Sequence, residues 1–92
     1  MIEYKDTVQG MLSSDYKERF IAEYWQTKTR YEKLRTFCNK IEVAQMMNNI
    51  AYPEPEHDCP LELLRKQQAV MGRYLHLLEL RAIIECVDLR GS

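Results

Sequence analysis

No glycine or proline interrupts residues 15–50, and this limits the possible folds more than any other feature of the chain. Strand-rich folds need turn residues at short intervals, whereas a stretch without breakers is free to coil into helix. Its apolar residues keep a helical period. Phe20, Tyr24, Thr27, Tyr31, Leu34, Cys38 and Ile41 follow one another at alternating steps of four and three. That heptad seam lines one side of a continuous helix, with Thr27 its single polar member. Ser13, Ser14 and Asp15 offer N-cap oxygens to the first unpaired backbone N–H groups. With Asp15 as cap, Glu18 takes the third helical position and can reach back. Beyond Asn39, Val43, Met46, Met47 and Ile50 extend an apolar face, so we expect one long helix, or two joined by a kink near Asn39.

Residues 51–59, AYPEPEHDC, form the connector. Proline in a helix interior removes a backbone bond and clashes with the preceding turn. Pro60 suits the first helical position, with Asp58 or Cys59 before it as cap, and Glu62 then lies near the positive end of the helix dipole. The last helix is expected from about Pro60 to Asp88. Leu64, Gln68, Met71, Leu75, Leu78 and Ala82 make one seam, and Leu63, Val70, Tyr74, Leu77 and Ile84 make a second apolar row beside it. One partner helix covers a stripe of about 100°. Two rows exceed that stripe, and an apolar surface left over on this scale marks an interface. We therefore expect an oligomer, with Met71, Leu75 and Leu78 at the contact between copies. Before the long helix, Ile2, Tyr4, Val8, Met11 and Leu12 suggest a short amphipathic helix interrupted at Gly10. The expected fold is all-α: a short N-terminal helix plus two long antiparallel helices in an oligomeric assembly. Residues 1–92 form a single helical domain, with Gly91-Ser92 read as a cloning remnant.

Composition narrows the function. At 92 residues the chain makes one domain of marginal stability. A net charge of −1 argues against a coat for polymeric nucleic acid. Charge is nevertheless segregated: Lys28, Arg30, Lys33, Arg35 and Lys40 stand against Glu32 alone, and Glu54, Glu56, Asp58 and Glu62 stand with no cation among them. The bland reading is two solvated faces. Three widely spaced cysteines, Cys38, Cys59 and Cys86, do not suit a disulfide scaffold. We expect them reduced, with Cys38 and Cys86 serving as small buried hydrophobes. No apolar run approaches a membrane span, and the N-terminus lacks a signal peptide's apolar core.

Chemistry-bearing motifs are sparse. His57 and Cys59 make one loose pair, where structural zinc needs two close pairs, so no metal and no cofactor is expected. His57 and His76 sit in no nucleophile motif, and His76 reads as a satisfied interface residue. Glu54, Glu56 and Asp58 lie in a Pro-rich loop expected to lack fixed geometry, and no phosphate-binding glycine loop exists. An enzyme is not expected. The informative segment is residues 16–31, where Tyr16, Phe20, Tyr24, Trp25 and Tyr31 interleave with Arg19, Lys28 and Arg30, and Lys33 follows. Aromatic faces can stack on bases while cations hold phosphates. Phe20, Tyr24 and Tyr31 lie on the seam and read as core. Tyr16 and Trp25 lie beside it, where a partner or ligand is met.

Two segments resemble a known family. In DYKERFIAEYWQTKTRYEKLRTF the pattern is carried by Tyr16, Arg19, Phe20, Ile21 and Glu23, then Lys33, Leu34 and Phe37. In CPLELLRKQQAVMGRYLHLLELRA it is carried by Leu63, Leu64, Gln67 or Gln68, Met71, Tyr74 and Leu78. Together, and in that order, they resemble the phage anti-CBASS cyclic-oligonucleotide sponges, over roughly residues 15–38 and 60–82. CBASS is a bacterial defence in which infection triggers a cyclic nucleotide that activates a lethal effector. The resemblance implies a hexamer that sequesters cyclic dinucleotides between protomers without cleaving them, in the cytoplasm of the infected host. It also implies that some members hold cyclic trinucleotides in separate pockets. Tyr16 matches an aromatic of the dinucleotide pocket, Arg30 or Lys33 its cation, and Arg65 or Arg73 a trinucleotide-pocket arginine. The chain departs from the family in residues 1–13 and at Trp25. Two readings stand beside this one: a structural or protein-binding helical module of phage origin, and a small nucleic-acid binder.

Overall fold

The computed structural model describes residues 15–90; the expected helix over residues 1–13 and the Gly91-Ser92 tail lie outside them. Among the described residues the structure is all-helical. Helix α1 spans Tyr16–Met46 and helix α2 spans Leu61–Ile84. They lie antiparallel, with the start of α1 beside the end of α2. Asp15 caps α1 as expected, its Oδ1 accepting from the Glu18 backbone N–H at 2.9 Å. Helix α1 runs through Asn39 as one element and is not divided there.

Both helices end earlier than their apolar patterns suggest, and for the same reason. Asn48 and Asn49 take left-handed φ values of 53° and 59°. The Asn48 N–H donates to Gln45 O at 3.2 Å and Asn49 N–H to Ala44 O at 2.8 Å. These bonds close the orphan carbonyls of the last turn in a Schellman motif, so α1 stops at Met46, short of Ile50. In α2 the left-handed residue is Cys86, with φ 56°. Its N–H donates to Ile83 O at 3.4 Å, and Val87 N–H donates to Ala82 O at 2.8 Å. The accompanying apolar contact is present, because Val87 is buried in one cluster with Ala82. Helix α2 thus ends at Ile84 rather than Asp88. Cys86, expected as a buried hydrophobe, is exposed because it occupies this turn, whereas Cys38 is fully buried. Pro60 is itself the N-cap, with extended ψ of 148°, rather than the first helical residue. Proline offers no side-chain oxygen, and Glu62 in the first turn supplies the negative charge that this helix end favours.

The core forms where the seams meet. Phe20 and Tyr24 from α1 pack with Leu75, Leu78 and Ala82 from α2 and with Val87 beyond it. Further along α1, Cys38, Ile41 and Ala44 are fully buried. Thr27, the polar member of the seam, is buried and donates its hydroxyl to Glu23 one turn back at 3.3 Å. Tyr24 donates to the Glu79 carboxylate at 2.6 Å. Burial, and then that carboxylate, push the Tyr24 phenol well above its ordinary value, so it stays a donor. Trp25 stands edge-on to Tyr24 at 5.2 Å and donates its indole N–H to the Leu89 carbonyl. It therefore fastens the segment after α2 to α1. Gly72 permits a close helix approach, since a Cβ there would lie 3.3 Å from the Tyr31 ring.

Leu75 and Leu78, expected between copies, are each only 4% exposed within the single chain. Their seam faces α1 and is consumed by the hairpin. The apolar row left open is the second one: Leu63, Val70, Tyr74, Leu77 and Ile84 all remain exposed, as does Ile83. The connector is also more ordered than its composition suggests. His57 donates from Nδ1 to the Cys59 carbonyl at 2.6 Å and from Nε2 to Glu54, while its ring meets Phe37 of α1 edge-on at 6.2 Å.

Two outcomes follow from this packing. Leu78→Ala should destabilise the protein by roughly 2–5 kcal/mol, the usual result of deleting a buried leucine side chain; urea unfolding followed by circular dichroism measures it. Both partners of the His57 ring are acceptors, so the protonated ring satisfies both at once and the fold favours it. The Glu54 hydrogen bond, then the Cys59 carbonyl, raise its pKa above the ordinary 6.5. A raised folded-state pKa means that the clamp's contribution is complete below the unfolded value and is lost as pH rises through the folded value. NMR titration should place the His57 ring above 6.5, and Glu54→Gln should lower it.

Candidate functional site

The antiparallel register decides which polar side chains meet. Tyr16 at the start of α1 faces Arg81 near the end of α2, Glu23 faces Tyr74, and Arg30 and Gln67 flank the same groove. Two open grooves run along this side of the hairpin. The first, about 320 Å³, is lined by Tyr16, Arg19, Phe20, Glu23, Tyr74, Leu78 and Arg81. The second, about 430 Å³, is lined among others by Glu23, Thr27, Arg30, Val70, Met71 and Tyr74. Sharing Glu23 and Tyr74, which are hydrogen-bonded to each other, the two grooves lie in line as a shallow channel bridged at that pair.

The first groove is held by a chain of contacts. Arg81 lies over the Phe20 ring, 4.9 Å from its centre. Its Nε donates to Glu85 at 2.8 Å and its Nη2 donates to the Tyr16 hydroxyl at 2.8 Å. A guanidinium fixed by a ring face and a carboxylate is pre-organised, and its remaining N–H groups suit an anion. Tyr16 stands edge-on to Phe20 at 6.2 Å and is 46% exposed. At the junction, Tyr74 donates to Glu23 at 3.2 Å. Burial, then Glu23, raise the Tyr74 phenol above its ordinary value, which keeps it protonated there.

Of the cations singled out from sequence, Arg19 lies beside Tyr16 in the first groove and Arg30 lines the second. The others point elsewhere. Lys28 pairs with Glu32 at 3.5 Å. Lys33 lies over a separate depression with Thr36, Phe37 and Lys40. Arg65 is spent on the hairpin itself, donating to Glu42 at 2.8 Å, Asn39 at 3.0 Å and Gln68 at 2.7 Å. Arg73 is exposed on α2 and lines neither groove. Met71 lines the second groove, half-buried. His76 is exposed on α2. The residues missed from sequence are Arg81, Glu23 and Tyr74 as a set. Tyr74 and Glu23 stand in the family pattern and Arg81 lies one turn after Leu77, but only the register of the hairpin brings them opposite Tyr16. Among the described residues no group of three metal-ligating side chains is drawn together, and no helix is long and apolar enough to cross a membrane.

Fold and channel define a small all-α hairpin protein with one open, cation-edged face. The family model described as Sequestin matches residues 14–84. The chain belongs to the Sequestin family, a description that suggests sequestration of a ligand. Neither the curated proteins nor the solved structures yield a match.

Proposed function

We propose that this protein is a sponge for cyclic oligonucleotide signals, one that binds them between copies of itself and returns them uncleaved. The observation that carries the reading is the groove in which an exposed aromatic, Tyr16, stands with Arg19 and Arg81, continued by a second groove that Arg30 lines. A cyclic dinucleotide presents two flat bases and two phosphates, and such a ligand needs stacking surfaces and cations on two sides of a cleft. One hairpin supplies a single side. The exposed row through Val70 and Leu77 gives a second copy a place to sit, and Val70 also lines the channel. The resemblance to phage anti-CBASS sponges extends this reading. The assembly is then a hexamer acting in the cytoplasm of the infected bacterium, holding cyclic dinucleotides, and cyclic trinucleotides in further pockets, away from the CBASS effector. No catalytic step and no cofactor enters the proposal.

The deciding experiment is a calorimetric titration of the full chain with a panel of cyclic di- and trinucleotides, followed by denaturation and analysis of the released ligand. Binding with intact recovery supports the sponge. Conversion of the ligand would make the protein a hydrolase. No binding at micromolar protein would leave the protein-binding module as the better account. Tyr16→Ala should weaken dinucleotide binding roughly tenfold or more, because stacking on an aromatic is worth ~1–3 kcal/mol per base and 1.4 kcal/mol is one decade. Arg30→Ala should weaken it too and flatten its dependence on salt.

Assembly has its own contrast. Leu77→Asp, on the open row, should keep the helical circular dichroism signal and reduce the mass seen by light scattering. Leu78→Asp, one residue on but in the core, should unfold the chain, since it buries an unpaired charge. A single-protomer mass for the folded wild type would remove the oligomer from the proposal.

A further inference from the structure

The channel contains one group that an anionic ligand should not want. Glu23 lines both grooves and is the single carboxylate in the lining of either, while Arg19, Arg30 and Arg81 are its charged companions. A carboxylate beside the path of a phosphate repels it, so its presence weakens binding unless it meets a donor on the ligand. Phosphates carry no donor at neutral pH. The donors of a cyclic nucleotide are its ribose hydroxyls and the base edges, and only one base edge presents two adjacent N–H donors. Guanine offers N1–H and N2–H₂ side by side. Adenine sets its N1 lone pair beside N6–H₂, and that lone pair would face the carboxylate.

Glu23 is built to act as an acceptor of this kind. It is half-buried. Its Oε1 already takes the Tyr74 hydroxyl at 3.2 Å and the Thr27 hydroxyl at 3.3 Å. Those two bonds come from opposite helices and fix the carboxylate in the channel floor. An ionised carboxylate has about four lone-pair sites on two oxygens; both bonds fall on Oε1, so Oε2 keeps its sites for a ligand. Glu23 also sits two helical turns from Tyr16 along one side of α1, in the same groove. A base entering the groove beside the exposed Tyr16 would meet Glu23 in the same lining.

We propose that Glu23 reads the base and selects guanine-bearing cyclic nucleotides, an inference that rests on the sponge reading above and deepens it. Arg19 and Arg81 hold a phosphate in the first groove, and Glu23, in the same lining, decides between bases. The N1–H and N2–H₂ of a guanine edge can both converge on Oε2, and a matched pair of base-edge contacts discriminates by ~1–3 kcal/mol against the wrong base, roughly a tenfold effect within that range.

The test titrates the full chain with cyclic di-GMP and with cyclic di-AMP, as wild type and as Glu23→Gln and Tyr74→Phe. Circular dichroism and light scattering confirm the same fold and mass in all three. The wild type should bind cyclic di-GMP roughly tenfold or more tighter than cyclic di-AMP. Glu23→Gln should lose most of that preference by weakening the guanine ligand while leaving the adenine ligand unchanged or tighter. Tyr74→Phe removes a bond to Glu23 but keeps the carboxylate, and should keep the preference. Equal wild-type affinities, a preference for adenine, or an equal loss for both ligands in Glu23→Gln would overturn the inference while the sponge reading stands. Binding of neither ligand, nor of any other cyclic nucleotide in the wider panel, would overturn the sponge reading and this inference with it.

Discussion

Everything on the functional face depends on the register in which α1 meets α2. That register is set by apolar interdigitation: Phe20 and Tyr24 from one helix lock against Leu75, Leu78 and Ala82 from the other. A slip of one turn, about 5.4 Å, would exchange every cross-helix neighbour. Tyr16 would lose Arg81, Tyr74 would lose Glu23, and Arg65 would lose Asn39 and Glu42. These polar contacts are mostly exposed and individually weak, so they do not choose the register. They check it. The core chooses, and the ends of the hairpin reinforce the choice, because Trp25 holds the Leu89 carbonyl and Val87 folds back onto Ala82.

Seen from the sequence, the fold is legible wherever one local rule decides. The four-and-three spacing places Phe20, Tyr24, Thr27, Cys38 and Ile41 inside, and all of them are buried. Tyr31 and Leu34 are only half-buried: Leu34 lines the second groove, and Tyr31 packs on Gly72, which has no side chain to cover it. Helix ends are less legible because a left-handed residue is needed there and the sequence provides it without glycine. Asparagine tolerates that conformation, so Asn48-Asn49 is a signal that can be learnt. Cysteine has no such preference, and Cys86 takes the position because Val87 gains burial by doing so. The apolar rows of α2 are legible as rows but not as destinations. Period alone cannot say which of two adjacent rows faces the hairpin and which faces out.

The site is legible by type and not by membership. An aromatic–basic mixture in residues 16–33 is visible from composition, and Tyr16, Arg19 and Arg30 do share the channel. Helical geometry scatters the rest. Lys28 and Lys33 line neither groove: Lys28 pairs with Glu32, and Lys33 shares a separate depression with Glu32 and Phe37. Charge density along a sequence therefore overstates charge density on a face. The cation that completes the group, Arg81, comes from a segment with no excess of positive charge. It is kept in place by a ring and two oxygens rather than by its own stiffness.

The same arithmetic of faces bears on how assembly and binding would be joined. Val70 and Tyr74 belong both to the open apolar row and to the lining of the second groove. A second copy covering that row would stand at the lip of the channel and turn a shallow surface into a cleft. Water excluded by that contact would strengthen each charged contact inside it, since Coulomb attraction grows as the local dielectric falls. The arginines then gain most, and so does the repulsion from Glu23. A carboxylate tolerable on an open face becomes a stronger discriminator in a closed one, because a ligand lacking a matching donor would bury an unpaired charge. On the sponge reading, oligomerisation therefore does more than provide the second wall. It sets how sharply the channel distinguishes one base from another.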